Sequence, residues 1–278
     1  GSEAGDSERL TLAERQLAEL RASIDRAALD DATRLSWKVF ETGEERRIAQ
    51  YRWRNHAYVF DKDGTHVSLP AFLINSHRVE SEQDADAYVR RLEGVRAYMD
   101  QRIERATAAA RLGILPPRFV FPYVIEDSRN IITGRPFDDG ATDSPLLADF
   151  RAKVAALSID EARRESLLAR AELALLTSVK PAYDAVIAWA IENGKAATDD
   201  DGAWKLPDGA GYYDFLLENY TTTKLTAAEI HAIGLREVAR LHADMRSLMK
   251  RVGFEGDLPA FLEFMRTDPR FYYEDSDA

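Results

Sequence analysis

Between Tyr88 and Ala106 the residues Tyr88, Leu92, Val95, Met99, Ile103 and Ala106 follow one another at intervals of 4, 3, 4, 4 and 3. That spacing puts all six on one face of an α-helix. Ser81, with Asp84 three residues on, caps the start of this helix, and Gly113 closes it. A long helix with one apolar stripe is stable only when other elements cover the stripe. The feature therefore demands a layer of partner helices, and the expected fold class is all-α.

The rest of the chain supplies those partners. Leu10, Leu12, Leu17, Leu20, Ile24 and Ala27 step mainly by threes and fours from Leu10 to about Ala28, predicting a helix after a disordered start at residues 1–9 in which Gly1-Ser2 has the form of an expression scar. Asp31 caps a second helix carrying Leu35, Val39, Ile48 and Tyr51. Between Trp53 and Pro70 the periodicity lapses. Asp61-Lys62-Asp63-Gly64 is a turn signal there and residues 57–60 read as a short strand, so an ordered crossing loop is expected. Pro116-Pro117 opens a shorter helix, and Gly134 to Pro145 is a connection rich in Gly, Asp and Pro.

Ser158-Ile159-Asp160-Glu161 reads as the capping box of the longest helix, which continues past Pro181 to Gly194 with its bend at the proline. After the polar loop Asp199-Asp200-Asp201-Gly202, Asp208 caps a helix bearing Tyr212, Tyr213, Leu216 and Leu217. A break at Tyr220-Thr221-Thr222-Thr223 precedes the capping box Thr226-Ala227-Ala228-Glu229. The helix it opens carries Ile230, Ile233, Val238, Leu241, Met245, Leu248 and Val252 on one face. Asp257 caps a last short helix ending near Arg266. The expected architecture is an irregular multi-helix array with long kinked helices, one domain over residues 10–273 without internal repeats, followed by a tail at 274–278.

Charge and composition narrow the function. Lys plus Arg number 37 against 48 Asp plus Glu, a net charge of −11 with no basic tract, and such a surface repels phosphate backbones, so no nucleic-acid partner is expected. The longest apolar runs, Leu173 to Leu176 and Val186 to Ala190, fall far below the roughly 20 residues that cross a bilayer, so no transmembrane segment is expected. The absence of cysteine excludes disulfides, thiol nucleophiles and thiolate metal sites, and leaves the compartment open.

The five histidines, His56, His66, His77, His231 and His242, are separated by 10, 11, 154 and 11 residues. A helical zinc site needs two imidazoles one turn apart, so only a nonlocal metal site stays open. Neither Asp-rich turn continues as a calcium loop, and neither a phosphate-binding glycine pattern nor a G-x-S-x-G elbow occurs. Local motifs assign no catalytic residue and no metal ligand.

Polar residues do gather around two helix ends. Tyr212, Tyr213, Tyr220 and Thr222 concentrate phenols and hydroxyls at the junction of two helices, where they can hydrogen-bond a peptide backbone or serve packing and capping. His231, in the first turns of the next helix, suits either a backbone partner or a substrate contact. Arg266, at the last helix end, suits an anion or a helix-end ion pair.

Several ordered blocks carry a family resemblance: Leu69-Pro70-Ala71-Phe72-Leu73-Ile74-Asn75, Pro116-Pro117-Arg118-Phe119-Val120, Trp204-Lys205-Leu206-Pro207-Asp208-Gly209, Leu225-Thr226-Ala227-Ala228-Glu229-Ile230-His231 and Arg266-Thr267-Asp268-Pro269-Arg270-Phe271-Tyr272. Together they resemble the bacterial "domain of unknown function 885" family, from about Leu10 to Tyr273. The resemblance implies a mainly helical protein about twice this length, similar to zinc carboxypeptidases and oligopeptidases. Its H-E-x-x-x-G-H-H-type motif would lie in a carboxy-terminal half that this sequence does not match.

On that reading the chain is the amino-terminal, noncatalytic half of a peptidase-like protein. It holds no cofactor itself, while zinc is expected in the intact protein and a peptide is the expected substrate. Tyr212, Tyr213, Tyr220, Thr222, His231 and Arg266 would form the substrate-facing wall. The resemblance also implies export to the periplasm, with a lipid anchor in some members. The alternative is a helical peptide- or protein-binding scaffold without catalysis. A half-protein should leave an apolar face uncovered and self-associate through it.

Overall fold

Capping side chains decide where the helices begin in this computed structural model, which describes residues 2–273. Gly1 and the tail expected at 274–278 lie outside the described residues. Ser2 accepts from the Gly5 amide and opens α1, Glu3–Ser23, with Glu3 and Asp6 in its first turn. The start read from sequence as unstructured is therefore largely helix, because a hydroxyl cap and early acids favour it. Asp30, one residue before the expected Asp31, caps α2, Asp31–Tyr51.

The expected strand at 57–60 does not form. Val59 and Phe60 are instead buried in the core, and helix α3, Thr65–Asn75, occupies much of the predicted crossing loop. Pro70 sits inside α3, where it cannot donate to the carbonyl of His66 four residues back. The Tyr183 hydroxyl donates to that carbonyl at 2.7 Å and satisfies it from across the fold. Lys153 Nζ closes the other end of α3 with bonds of 2.8 and 2.9 Å to the carbonyls of Leu73 and Ile74.

Helix α4, Glu82–Arg111, is the element its apolar spacing predicts: Ser81 caps it, five of the six stripe residues are buried, and Ile103 packs against the same core. Helix α5, Val120–Ile131, begins beyond Pro116-Pro117, since a proline disfavours helical backbone in the residue before it. Helix α6, Pro145–Ala155, was not expected from the sequence, although Leu146, Leu147, Phe150 and Val154 mark its buried face.

The capping box expected at Ser158 is replaced by Asp160, which accepts from the Arg163 amide at 2.7 Å. It opens a continuous helical run of α7, Glu161–Ala174, a π turn, Leu175–Val179, and α8, Lys180–Gly194. The π turn comes immediately before Pro181, where a ring that clashes with the preceding turn and a missing N–H disturb the α pattern. Ser178 within that turn donates to the Glu93 carbonyl and accepts from the Arg96 amide, tying the run to α4. Helices α9, Gly209–Thr221, α10, Ala227–Arg251, and α11, Leu258–Thr267, complete the array, and no strand forms among the described residues.

The chain divides after Tyr212, within α9, into two compact units, where sequence suggests one domain over 10–273. Each unit has its own apolar centre. In the first, α4 lies against α6, α7, the π turn and α8. In the second, Met249, Leu258 and Phe261 are buried together with Phe254, Phe264 and Met265 around them. The local clustering of aromatics at 254–264 gives the carboxy-terminal stretch a separate core.

Candidate functional site

Among the six candidate residues, Tyr212 belongs to the first unit and the other five to the second. Tyr212 is held by a turn at 203–209 that folds closely on itself. A side chain on Gly209 would meet the Ala203 carbonyl oxygen at 2.1 Å, so only glycine fits. Its half-buried ring lies 4.8 Å from the His56 imidazole and 5.5 Å from Trp53, centroid to centroid. His56 Nε2 is 2.8 Å from the Pro207 carbonyl, and Arg52 spans from the Trp53 ring to an ion pair with Asp208 at 2.5 Å. Tyr212 is therefore packed among the aromatic residues of the first unit. No local pattern links His56, Trp53 and Arg52 to residues about 150 positions later, so sequence reasoning does not find this cluster.

The remaining five lie at helix ends. Tyr213 and Tyr220 are exposed, Tyr220 to 79%. Thr222 has a φ of +59° just past α9, while its neighbour Thr221 bonds back to the Leu217 carbonyl at 2.7 Å. His231 is exposed near the start of α10. Before it, Thr226 and Glu229 form the reciprocal capping box read from sequence. The Thr226 amide and hydroxyl hold the Glu229 carboxyl below its ordinary range. Arg266 pairs with Glu263 on its own helix, and its carbonyl accepts from the Tyr272 hydroxyl at 2.5 Å. Bonds at the helix ends account for Thr221, Thr223 and Thr226 and an ion pair engages Arg266, while Tyr213, Tyr220, Thr222 and His231 are exposed.

Two imidazoles are buried in the first unit. Both ring nitrogens of His66 lack a hydrogen bond, with Asp127 Oδ2 3.8 Å away, and burial depresses its basicity against the pull of Asp127 and Asp61. His77 lies against Arg91 and the Asp84 carbonyl, and burial followed by the Arg91 charge depresses it as well. Among the described residues no group of three or more His, Cys, Asp or Glu side chains converges to hold a metal ion. The described residues therefore bring together no ligand set of the kind a zinc centre needs.

A family model for bacterial proteins of unknown function, DUF885, matches residues 1–278. The chain belongs to that family. None of the curated proteins matches it. The fold of this DUF885 chain is similar to the crystal structure of "the putative lipoprotein from Colwellia psychrerythraea", with a TM-score of 0.81 and 23% identity over 98% of this chain and 47% of that one. The chain thus spans about half the length of that protein, and the likeness establishes the all-α fold. No helix among the described residues is long and apolar enough to cross a membrane.

Proposed function

We propose that this DUF885 chain is the noncatalytic, substrate-facing amino-terminal half of a zinc peptidase-like protein, whose metal motif lies outside these 278 residues. The observation that carries the reading is the span: nearly all of this chain aligns with 47% of a longer protein of the same fold. Zinc in the intact protein would supply the means of activating water. The described residues bring together no ligand set for it, and their part is to bind and orient a peptide. Tyr213, Tyr220, Thr222, His231 and Arg266 offer donors and acceptors for that purpose, while Tyr212 packs against His56 and Trp53 within the first unit. Export to the periplasm, with or without a lipid anchor, accompanies this reading. It is supported by the family resemblance and by the lipoprotein character ascribed to the structural neighbour.

The test compares this chain with the product of the full open reading frame on a mixed peptide library in the presence of zinc. Metal-dependent cleavage by the longer protein alone is expected, and Tyr220→Ala in that protein should raise KM about tenfold, the scale of one lost hydrogen bond to substrate. Robust cleavage by the 278-residue chain alone would overturn the reading.

A second reading, a helical module that binds a protein or peptide without hydrolysis, is favoured by α10. Its stripe residues Val238, Leu241, Leu248 and Val252 are all exposed. A full-length protein that binds peptides yet carries a degraded metal motif would decide for it.

A further inference from the structure

In a chain of net charge −11, five arginines gather on one cavity of the first unit. Helices α1, α2 and α4 and the segment at 54–59 enclose about 660 Å³, and Arg9, Arg47, Arg54, Arg102 and Arg105 line it against a single carboxylate, Asp6. A volume of this size suits a small organic molecule.

Asp6 is shared by Arg105, at 2.5 Å, and Arg9. Its own burial opposes ionisation, but the two guanidiniums hold its carboxyl below the ordinary range. Glu3 and Glu44, outside the cavity, lie 3.3 and 3.4 Å from Arg54 and Arg47. Among the described residues the lining itself thus sets five guanidiniums against one carboxylate. Arg102 is the most weakly matched. Its Nε is buried without a hydrogen-bond partner, and the Tyr98 ring is 5.9 Å from its guanidinium carbon. A buried guanidinium donor left unpaired is costly, so an incoming acceptor at this point gains the full value of a charge-assisted bond.

The other walls are apolar or aromatic. Leu10, Ala57 and Val59 contribute aliphatic surface, Tyr51 stacks under Arg54 at 4.3 Å, and Tyr58 adds a phenol whose pKa burial raises.

We infer that this cavity is a binding site for a small organic dianion, a dicarboxylate or a phosphate monoester with an apolar or aromatic body. The surplus of guanidiniums over carboxylates in the lining favours a ligand with more than one negative charge, the guanidinium forks suit either oxyanion, and the ring-lined walls favour an organic body over a bare inorganic ion. The site is independent of the peptidase reading, since it uses none of the residues proposed to face a peptide.

Calorimetric titration of the chain with phthalate and with phenyl phosphate, against neutral benzamide, tests it. At least one dianion should bind ten times or more tightly than benzamide, and which one binds better distinguishes carboxylate from phosphate. Its affinity should fall between 50 and 200 mM salt, as screening weakens the attraction between the dianion and the guanidiniums. Arg102→Gln should weaken that binding about tenfold. Arg118→Gln, away from the cavity, should leave it unchanged, with circular dichroism verifying the fold of both variants. Failure of both dianions to exceed benzamide would overturn the proposal, as would unaltered affinity in a folded Arg102→Gln protein.

Discussion

His66 combines two demands on one residue. Its carbonyl is bonded, but its ring is fully buried with neither nitrogen satisfied, so the imidazole is held neutral. Burial lowers its folded-state pKa below the ordinary 6.5 of the unfolded chain. As pH falls below about 6.5 the unfolded state takes up the proton first. Stability contributed by this group is therefore present above that pH and decreases as pH drops toward the depressed folded value. His77 acts with the same sign, again through burial and then Arg91. The urea midpoint should decline between pH 6.5 and 5, and His66→Leu should flatten that decline without abolishing it. An identical pH profile in the variant would show that the ring is already accessible to protons. At this scale sequence could enumerate the five histidines but not rank them, because burial is a property of neighbours remote in the chain.

At the scale of elements, α3 depends on α8. A proline in the middle of an eleven-residue helix leaves the His66 carbonyl without its normal donor, and the Tyr183 hydroxyl replaces it. Tyr183→Phe keeps the ring and removes only that donor. Leaving one buried carbonyl unsatisfied should cost about 1–3 kcal/mol, read as a lower urea midpoint at unchanged slope. An unchanged midpoint would mean that water reaches the carbonyl. The same dependence explains the misplaced loop: Pro70 and the Asp-rich turn argue against a helix at 53–70 on local grounds, and the compensating hydroxyl lies 117 residues away. By contrast α4 and the Thr226 capping box were legible, since all the residues that specify them lie within one element. Helix α6 was missed, because it follows directly on a Gly/Asp/Pro-rich connection and its buried face, Leu146, Leu147, Phe150 and Val154, is too short to stand out as a periodic stripe.

For the whole molecule the conspicuous surface is on α10. A single residue of this 25-residue helix, Met249, is buried, whereas Val238, Leu241, Met245, Leu248 and Val252 are exposed at steps of 3, 4, 3 and 4. That is the repeat with which two helices pack side by side. The isolated chain should accordingly self-associate with rising concentration in sedimentation velocity runs, and Leu241→Glu should shift it to monomer. A wild-type chain that stays monomeric at about 100 μM, weaker than roughly 5 kcal/mol of association, would remove this face as a contact surface.

Periodicity and capping in the sequence by themselves determined the all-α class, the course of α4, α10 and α11, and the positions of most breaks, because a helix is specified by residues three or four apart. Tertiary structure decided what no spacing encodes: that the chain has two centres, that Tyr212 packs beside His56 and Trp53, and that five arginines from three helices and a connecting segment share one cavity. Those outcomes rest on desolvation and charge among residues brought together only when the helices pack, and such terms have no periodic signature along the chain.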